Sequence, residues 1–318
     1  MKEIISIIIP TFNRAHLILD TLVSIQRQTY PYWECIIIDD GSVDDSKSLI
    51  LGFLKDDRRF TYLQRPENRP KGASSCRNYG FELSKGSFVQ FFDSDDIMHP
   101  NHLEEKIIAI KAADFVVCKL QEFQGNFDYD LFKTDNVPDI LKFDDLFEAF
   151  VCGNFPMMMV APMWQSVVLK RHLPFNENLH VLEDHELYSR ILFEFKTYAI
   201  VNKTLIYYRQ SQTSSMNQFY SNLQTGIDSY LLAKKTVLKL SQSKNIKLAI
   251  LKMVLGIMRM GLAQKNYHNA EKCFAFIKTE KLAYNYSLQR KTFRVQAFYL
   301  LFKIIGRGNT KFKFLLKV

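Results

Sequence analysis

Ser87-Phe88-Val89-Gln90-Phe91-Phe92-Asp93-Ser94-Asp95-Asp96 sets a short apolar run directly against three carboxylates in four residues. The run from Ser87 to Phe92 is too short for a helix and reads as a buried strand. Three carboxylates this close repel one another unless a cation or water solvates them. A hard divalent cation with a diphosphate is a natural reason to place them together. Mg²⁺ or Mn²⁺ takes one or two protein carboxylates and fills its other positions with phosphate oxygens and water. As a bare string, Asp93 to Asp96 would serve equally well as a solvated turn capping the next helix. The neighbouring segments decide between the two.

Glu3 to Ile9 is a β-branched run ending at Pro10, and residues 15–29 follow with helical spacing at Leu17, Leu22 and Ile25. Trp33 to Ile38 is a second strand, closed by Asp39-Asp40-Gly41-Ser42. Ser42 or Asp44 caps a helix running to about Lys55. Phe60 to Leu63 is a third strand, Gly72 to Ser84 a helix, 101–112 a helix and 114–118 a strand. This alternation predicts a mainly parallel sheet covered on both faces. Such sheets bind ligands at the carboxyl ends of their strands. Thr11-Phe12-Asn13-Arg14, Asp39-Asp40 and Asp93 to Asp96 all fall at strand ends, so three polar clusters converge on one rim. Residues 120–145 read as loop, Met157 to Trp164 as an apolar segment, and Leu182 to Phe195 as a helix opening with Glu183-Asp184. Strands near 198–201 and 204–208 close the body. Tyr207-Tyr208-Arg209 with Ser211 to Ser215 reads as a polar, flexible segment, a lid or a linker. From about 220 the pattern is helical, with Leu231, Leu238, Ile250, Val254 and Ile257 as core positions. Two domains are expected, 1–215 and 216–318.

The composition, 47% hydrophobic and 24% charged, suits a globular protein with a substantial core. The first residues do not form a signal peptide, and no stretch approaches the roughly 18 apolar residues of a membrane span. The five cysteines are scattered without a Cys-x-x-Cys and read as reduced core residues of a cytosolic protein. The net charge of +9 is uneven: residues 200–318 hold 21 Lys and Arg against three Asp and Glu, a net of +18, leaving −9 for the rest. An acidic body with a basic C-terminal region is the better description.

Each candidate has a plain structural alternative. Asp39-Asp40 could accept from the imide N–H of uracil or a ribose hydroxyl, or merely form a turn. Glu183-Asp184 could supply a general base for a hydroxyl acceptor, or simply favour the helix dipole. His180 and His185 flank that pair and read as surface residues. Arg77 could face a pyrophosphate or sit in a surface ion pair.

Taken together these residues resemble the family 2 glycosyltransferases with the GT-A fold. The resemblance rests on Ile7 to Arg14, Ile36 to Ser42, Gly72 through Arg77-Asn78, Phe91 to Asp96, and Glu183-Asp184, in that order, and covers about residues 3–210. It implies an α/β fold, a Rossmann-like mixed sheet with helices on both faces, followed by a C-terminal helical region. It implies an inverting transfer of a sugar from a nucleotide diphosphate, expected to be a UDP-sugar, to a hydroxyl of a glycan or lipid-linked acceptor. By resemblance Pro10, Thr11, Asn13, Asp40, Arg77, Asp93, Ser94 and Asp95 surround the donor, with Asp40 facing the base and Asp93 near ribose and sugar. Asp95 would be the principal ligand of Mn²⁺ or Mg²⁺ and Asp184 the catalytic base. Glu183, His185, Trp164 and Asp96 would line the acceptor side. Two departures stand out. The Gln-x-x-Arg-Trp motif and membrane spans of processive synthases are absent, which implies addition of one sugar. The stretch Asn68 to Ser75 is more basic than the usual Asn-x-Gly loop.

Segment 291–318 mixes aromatic and basic residues, which suits an anionic membrane surface; the alternative is a helical appendage with solvated lysines. This places the protein in the cytoplasm, peripheral at the inner face of the membrane. No nucleic-acid partner is expected. A nucleotidyltransferase would carry a Gly-rich loop after the first strand, where this chain has Pro10 to Arg14 and no glycine. A non-catalytic glycan- or membrane-binding module is the third reading, against which the full acidic set argues.

Overall fold

The computed structural model describes residues 3–155, 157–210, 219–220 and 226–305. The chain forms two units: Met1–Leu146 with Phe155–Glu177 and Arg190–Ser211, and Phe147–Asn154 with Asn178–Ser189 and Gln212–Val318.

The first unit is built on one sheet of eight strands: β1 (Ile5–Thr11), β2 (Trp33–Asp39), β3 (Phe60–Gln64), β4 (Phe88–Phe91), β5 (Ile97–Met98), β6 (Phe115–Phe123), β7 (Met163–Gln165) and β8 (Tyr198–Arg209). Their order across the sheet is β3-β2-β1-β4-β7-β6-β8-β5. The four strands from β3 to β4 are parallel, whereas β7 runs antiparallel to both β4 and β6. The sheet is therefore mixed, and the mainly parallel arrangement holds only for the half that carries the rim.

Side-chain alternation along a strand sends neighbouring residues to opposite faces. Cys35 and Ile37 join the core cluster of α1 (Ile18–Gln26), α2 (Ser46–Phe53) and α4 (His102–Ile110). Ile36 and Ile38 pack instead with Cys76 of α3 (Ala73–Leu83). Helices thus cover both faces, which is why these strands read as unbroken apolar runs. Helix α3 approaches β1 closely at Gly80: a Cβ there would lie 2.5 Å from Ile8 Cγ2.

Two expectations change. The region after 118 is not all loop, because β6 continues to Phe123 and is followed by a 3₁₀ turn, Tyr129–Lys133. Residues 198–209 form one strand, not two. The polar break at Asn202-Lys203 is absorbed by a register shift, Cys118 opposing Val201 while Lys119 opposes Thr204.

The second unit holds α8 (Ile227–Leu240), α9 (Lys244–Ala263), α10 (Tyr267–Thr279) and α11 (Tyr286–Ile305). It also takes most of α5 (Leu146–Val151) and the first turns of α7 (Glu183–Glu194); α6 (Ser166–His172) belongs to the first unit. Ser243 caps α9 by accepting from the Ile246 N–H, and Asn266 caps α10 by accepting from the Asn269 N–H. Leu231, Leu238, Ile250, Val254 and Ile257 are all buried, as their spacing predicts. All five cysteines are free, and four are buried. Among the described residues no helix is long and apolar enough to cross a membrane.

Candidate active site

The rim is assembled where β1, β2 and β4 end side by side. Thr11 pairs with Asp39, and the Asp40 N–H donates to the Thr11 carbonyl. Asn13 adopts a left-handed φ of 51° and staples the two loops: its N–H donates to Ser42 Oγ, and its Oδ1 accepts from the Val43 N–H. Pro10 lies buried within β1.

Adjacent aspartates here do different work. Asp39 Oδ1 accepts from the Gly41 and Ser42 N–H groups, and Oδ2 accepts from the Tyr62 hydroxyl. Asp39 is thus the turn former, helped by Gly41 at a φ of 87°. Asp40 instead forms an ion pair with Arg65, whose guanidinium also donates to the Pro66 and Arg69 carbonyls.

The acidic cluster occupies the link from β4 to β5, and its members separate by burial. Asp93 and Asp95 retain 28% and 19% side-chain exposure, whereas Asp96 is sealed. Arg77, itself buried on α3, donates to Asp93 Oδ1 at 2.7 Å. This ion pair is only partly buried, and it directs the guanidinium to a carboxylate of the cluster. Arg14 Nε stands 3.6 Å from Asp95 Oδ2. Asp96 Oδ1 accepts from the Arg209 N–H, its main-chain carbonyl accepts from Thr21 Oγ1, and its Oδ2 has no partner among the described residues. Burial, then the charges of Asp93 and Asp95, push the Asp96 carboxyl well above the usual carboxylate range. Asp96 thus ties the cluster to the body and offers no solvent-facing oxygen to an acceptor. Ser94 is buried between the accessible pair.

Arg209 corrects the expected flexible segment. Tyr207, Tyr208 and Arg209 lie within β8, and Arg209 donates to the Asp95 carbonyl, the Gly125 carbonyl and Asp20 Oδ2. The Tyr208 hydroxyl is pushed up by burial and by the charges of Asp96, Asp93, Asp95 and Glu122. Ser211 to Ser215 lie outside the described residues. Trp164 is fully buried in β7 with its ring 4.6 Å from that of Phe115; it packs the core and does not line an open site. In the basic loop, Lys71 lies over the Phe12 ring and Arg69 pairs with Glu82.

The donor set can be tested against the divalent ion. Burial, then the Asp93 charge, raises the Asp95 carboxyl above its ordinary range, and Arg14 and Arg209 only partly offset this. Asp95 thus sits in a negative, largely buried setting that a hard dication would relieve, while Asp93 already pairs with Arg77. Among the described residues no three His, Cys, Asp or Glu side chains form a ready cage. That suits an ion taking one or two carboxylates and the rest from phosphate and water. Thr11 Oγ1, buried and without a partner among the described residues, is a further unsatisfied polar atom at the rim.

In the second unit, Glu183 and Asp184 open α7 directly after Leu182, which has a φ of 59°. The His185 N–H donates to Asp184 Oδ1. His185 is not the surface residue expected: its ring stacks on Phe150 at 5.0 Å and its Nε2 lies 3.1 Å from Lys234 Nζ.

A family model described as "Glycosyl transferase family 2" matches residues 6–167. The chain belongs to this family. As a family 2 glycosyltransferase it is an enzyme that transfers glycosyl groups, which decides against the nucleotidyltransferase reading. It is 28% identical over 232 residues to "Glycosyltransferase GlyG" of Streptococcus pneumoniae serotype 4, an alignment spanning 68% of this chain and 74% of that protein. Over 104 residues it is 38% identical to "UDP-Glc:alpha-D-GlcNAc-diphosphoundecaprenol beta-1,3-glucosyltransferase WfgD" of Escherichia coli, covering 33% of this chain and 40% of WfgD. Its fold is similar to that of S. aureus TarS 1-349 in complex with UDP-GlcNAc. That likeness has a TM-score of 0.58 at 18% identity and covers 89% of this chain and 91% of the other.

Sequence reasoning quoted Arg14 and Arg77 but missed Arg65 and the anchoring role of Arg209. Their signal was positional: each stands at or just beyond the end of a strand, where the rim lies.

Proposed function

We propose that this glycosyltransferase moves one sugar from a UDP-sugar to a hydroxyl of a glycan or lipid-linked acceptor, with inversion at the anomeric carbon. The observation that carries the reading is the partly exposed pair Asp93 and Asp95 at the rim, beside the buried Thr11 hydroxyl that has no partner among the described residues. The donor reading is supported by the UDP-sugar in the name of WfgD and by the UDP-GlcNAc in the TarS complex. The diphosphoundecaprenol-linked substrate in the name of WfgD supports the acceptor class.

Thr11 and Asp40 hold the nucleoside, with Arg65 orienting Asp40; Pro10, Asn13, Arg77 and Ser94 shape that pocket, and Asp93 meets ribose and sugar. Asp95 holds Mn²⁺ or Mg²⁺, which when bound supplies charge neutralisation to the departing diphosphate. Asp184 takes the acceptor proton as the new glycosidic bond forms, with Glu183 and His185 beside it. A single displacement needs no covalent nucleophile.

Residues 1–215 are proposed as the catalytic domain and 216–318 as the basic helical region. Helix α11 carries the proposed membrane contact. Its inner face, Leu288, Val295, Tyr299 and Phe302, is buried, while Tyr286, Phe293, Leu300, Leu301 and Ile304 are exposed. Apolar residues on two faces with Arg290, Lys291 and Arg294 among them suit an anionic bilayer surface on the cytoplasmic side. The part of that segment beyond Ile305 lies outside the described residues.

Calorimetry of UDP with and without Mn²⁺ tests the core of the proposal. Asp95→Ala should lose the metal-dependent component of binding; metal-independent binding equal in both proteins would rule out the role given to Asp95. A panel of nucleotide-sugars then identifies the donor.

A further inference from the structure

Lys234 sits on α8 in the second unit and is 3% exposed. Burying an ammonium is costly unless acceptors and a counter-charge surround it. Lys106, another deeply buried lysine, meets that demand with two oxygens, donating to Gln90 Oε1 at 2.9 Å and to the Ala161 carbonyl at 2.7 Å. Lys234 does not. Its hydrogen-bond partner is a ring nitrogen, His185 Nε2 at 3.1 Å. An ammonium can donate there only if Nε2 carries the lone pair, which leaves the imidazole proton on Nδ1. Nδ1 has no partner among the described residues. Burial, then the Lys234 charge, holds His185 well below its ordinary range, so the ring stays neutral.

His185 is fixed from several sides. Its ring stacks on Phe150, its N–H donates to Asp184 Oδ1 at 2.7 Å, and its carbonyl accepts from Ser189 Oγ at 2.6 Å. Lys234, His185 and Asp184 thus form a connected set within one unit. The groups facing Lys234 are Asp184 and His185 from α7, Cys152 beyond the end of α5, and the Tyr230 ring on its own helix. Burial pushes the Lys234 ammonium down to about 8, and the Asp184 charge is the largest influence opposing that fall.

We propose that Lys234 is a positioning residue for the candidate base: anchored on His185 Nε2, it sets the geometry of the first turn of α7 and with it the placement of the Asp184 carboxylate. This rests on the reading of Asp184 as the base, and it adds a residue from the helical region to the catalytic apparatus. The coupling is reciprocal, since a carboxylate that favours the ammonium is itself favoured by it.

The test is the pH profile of sugar transfer by the full chain, with Lys234→Met, His185→Leu and Asp184→Asn compared with wild type. In Lys234→Met, kcat should fall by about tenfold or more, the scale of supporting partners around a reacting group, with the donor KM unchanged. The acid limb should move up by about one unit, as removal of a neighbouring opposite charge requires. The wild-type alkaline limb near 8 should vanish in this variant. His185→Leu keeps Lys234 but removes the acceptor that anchors it; it should lower kcat while leaving the acid limb in place. It also provides the test if Lys234→Met fails to fold, judged by near-UV circular dichroism. Wild-type kcat with unmoved limbs in a folded Lys234→Met, or wild-type kcat in His185→Leu, overturns the proposal. Full activity in Asp184→Asn overturns the base reading instead, so the two failures are distinguishable.

Discussion

The rim of the sheet and the start of α7 both hold candidate site carboxylates, but different cations stand beside them. At the rim the cations are arginines: Arg65 on Asp40, Arg77 on Asp93, Arg14 beside Asp95, and Arg209 on Asp20, with the Arg209 main-chain N–H on Asp96. At the start of α7 a lysine and a neutral histidine stand beside Asp184. Arginine stays charged at any physiological pH and presents a planar fork, so it fixes geometry. A buried lysine brought down to about 8 exchanges its proton near the working range, so it can tune a base. A donor site needs invariant shape, whereas a proton acceptor needs a matched ionisation state.

The largest expected effect breaks this comparison at its catalytic end. Asp184→Asn should lower kcat by about 10²–10⁴ while donor affinity stays unchanged, the contribution expected of a general base. Steady-state kinetics with calorimetry on the same preparation checks it; lost donor affinity would move Asp184 to the binding side.

Next comes the arginine that organises the rim. Arg209→Met leaves Asp20 and the Asp95 and Gly125 carbonyls without their donor. Urea unfolding should show about 3–5 kcal/mol of lost stability, the scale of two charge-assisted hydrogen bonds lost from the Asp95 and Gly125 carbonyls. A smaller test concerns the scaffold under the rim. Gly80→Ala would drive a methyl into Ile8 at the α3–β1 contact, for about 1–3 kcal/mol of overpacking.

The smallest effect sharpens the contrast by pH. UDP affinity should stay level between about pH 7 and 9, because the rim's cations do not titrate there. Stability should rise over the interval above pH 8. Burial depresses the native ammonium of Lys106 to about 8, so the native state releases its proton first and the unfolded chain binds more protons. Lys234 contributes in the same sense. Below 8 both states hold these protons and the slope from these lysines disappears. Lys106→Met should remove part of the rise in urea midpoint; an unchanged slope would mean that Lys106 titrates in the native state as it does in solvent.

The chain order of strands, helices and acidic clusters was legible because each signal is local. Ile5 to Ile9 and Trp33 to Ile38 are apolar on both faces of the strand, and a polar cluster follows at once. Where a local signal misled, a distant partner had intervened. Asn202-Lys203 looks like a strand break until the shifted register with β6 absorbs it. Trp164 looks like a site residue until Phe115 covers it.

By itself the sequence determined that three polar clusters end strands of an α/β sheet and that a basic helical region follows, because periodicity and strand-end chemistry act between near neighbours. Tertiary structure alone decided which carboxylate is held by which cation. Arg77 and Asp93 are 16 residues apart, Arg65 and Asp40 are 25 apart, and Arg209 and Asp20 are 189 apart. It also decided that Asp39 makes a turn while Asp40 takes a guanidinium, and that Asp96 is sealed while Asp93 and Asp95 stay accessible. These outcomes depend on side-chain direction at a strand end and on packing between elements remote in the chain, and neither has a local signature.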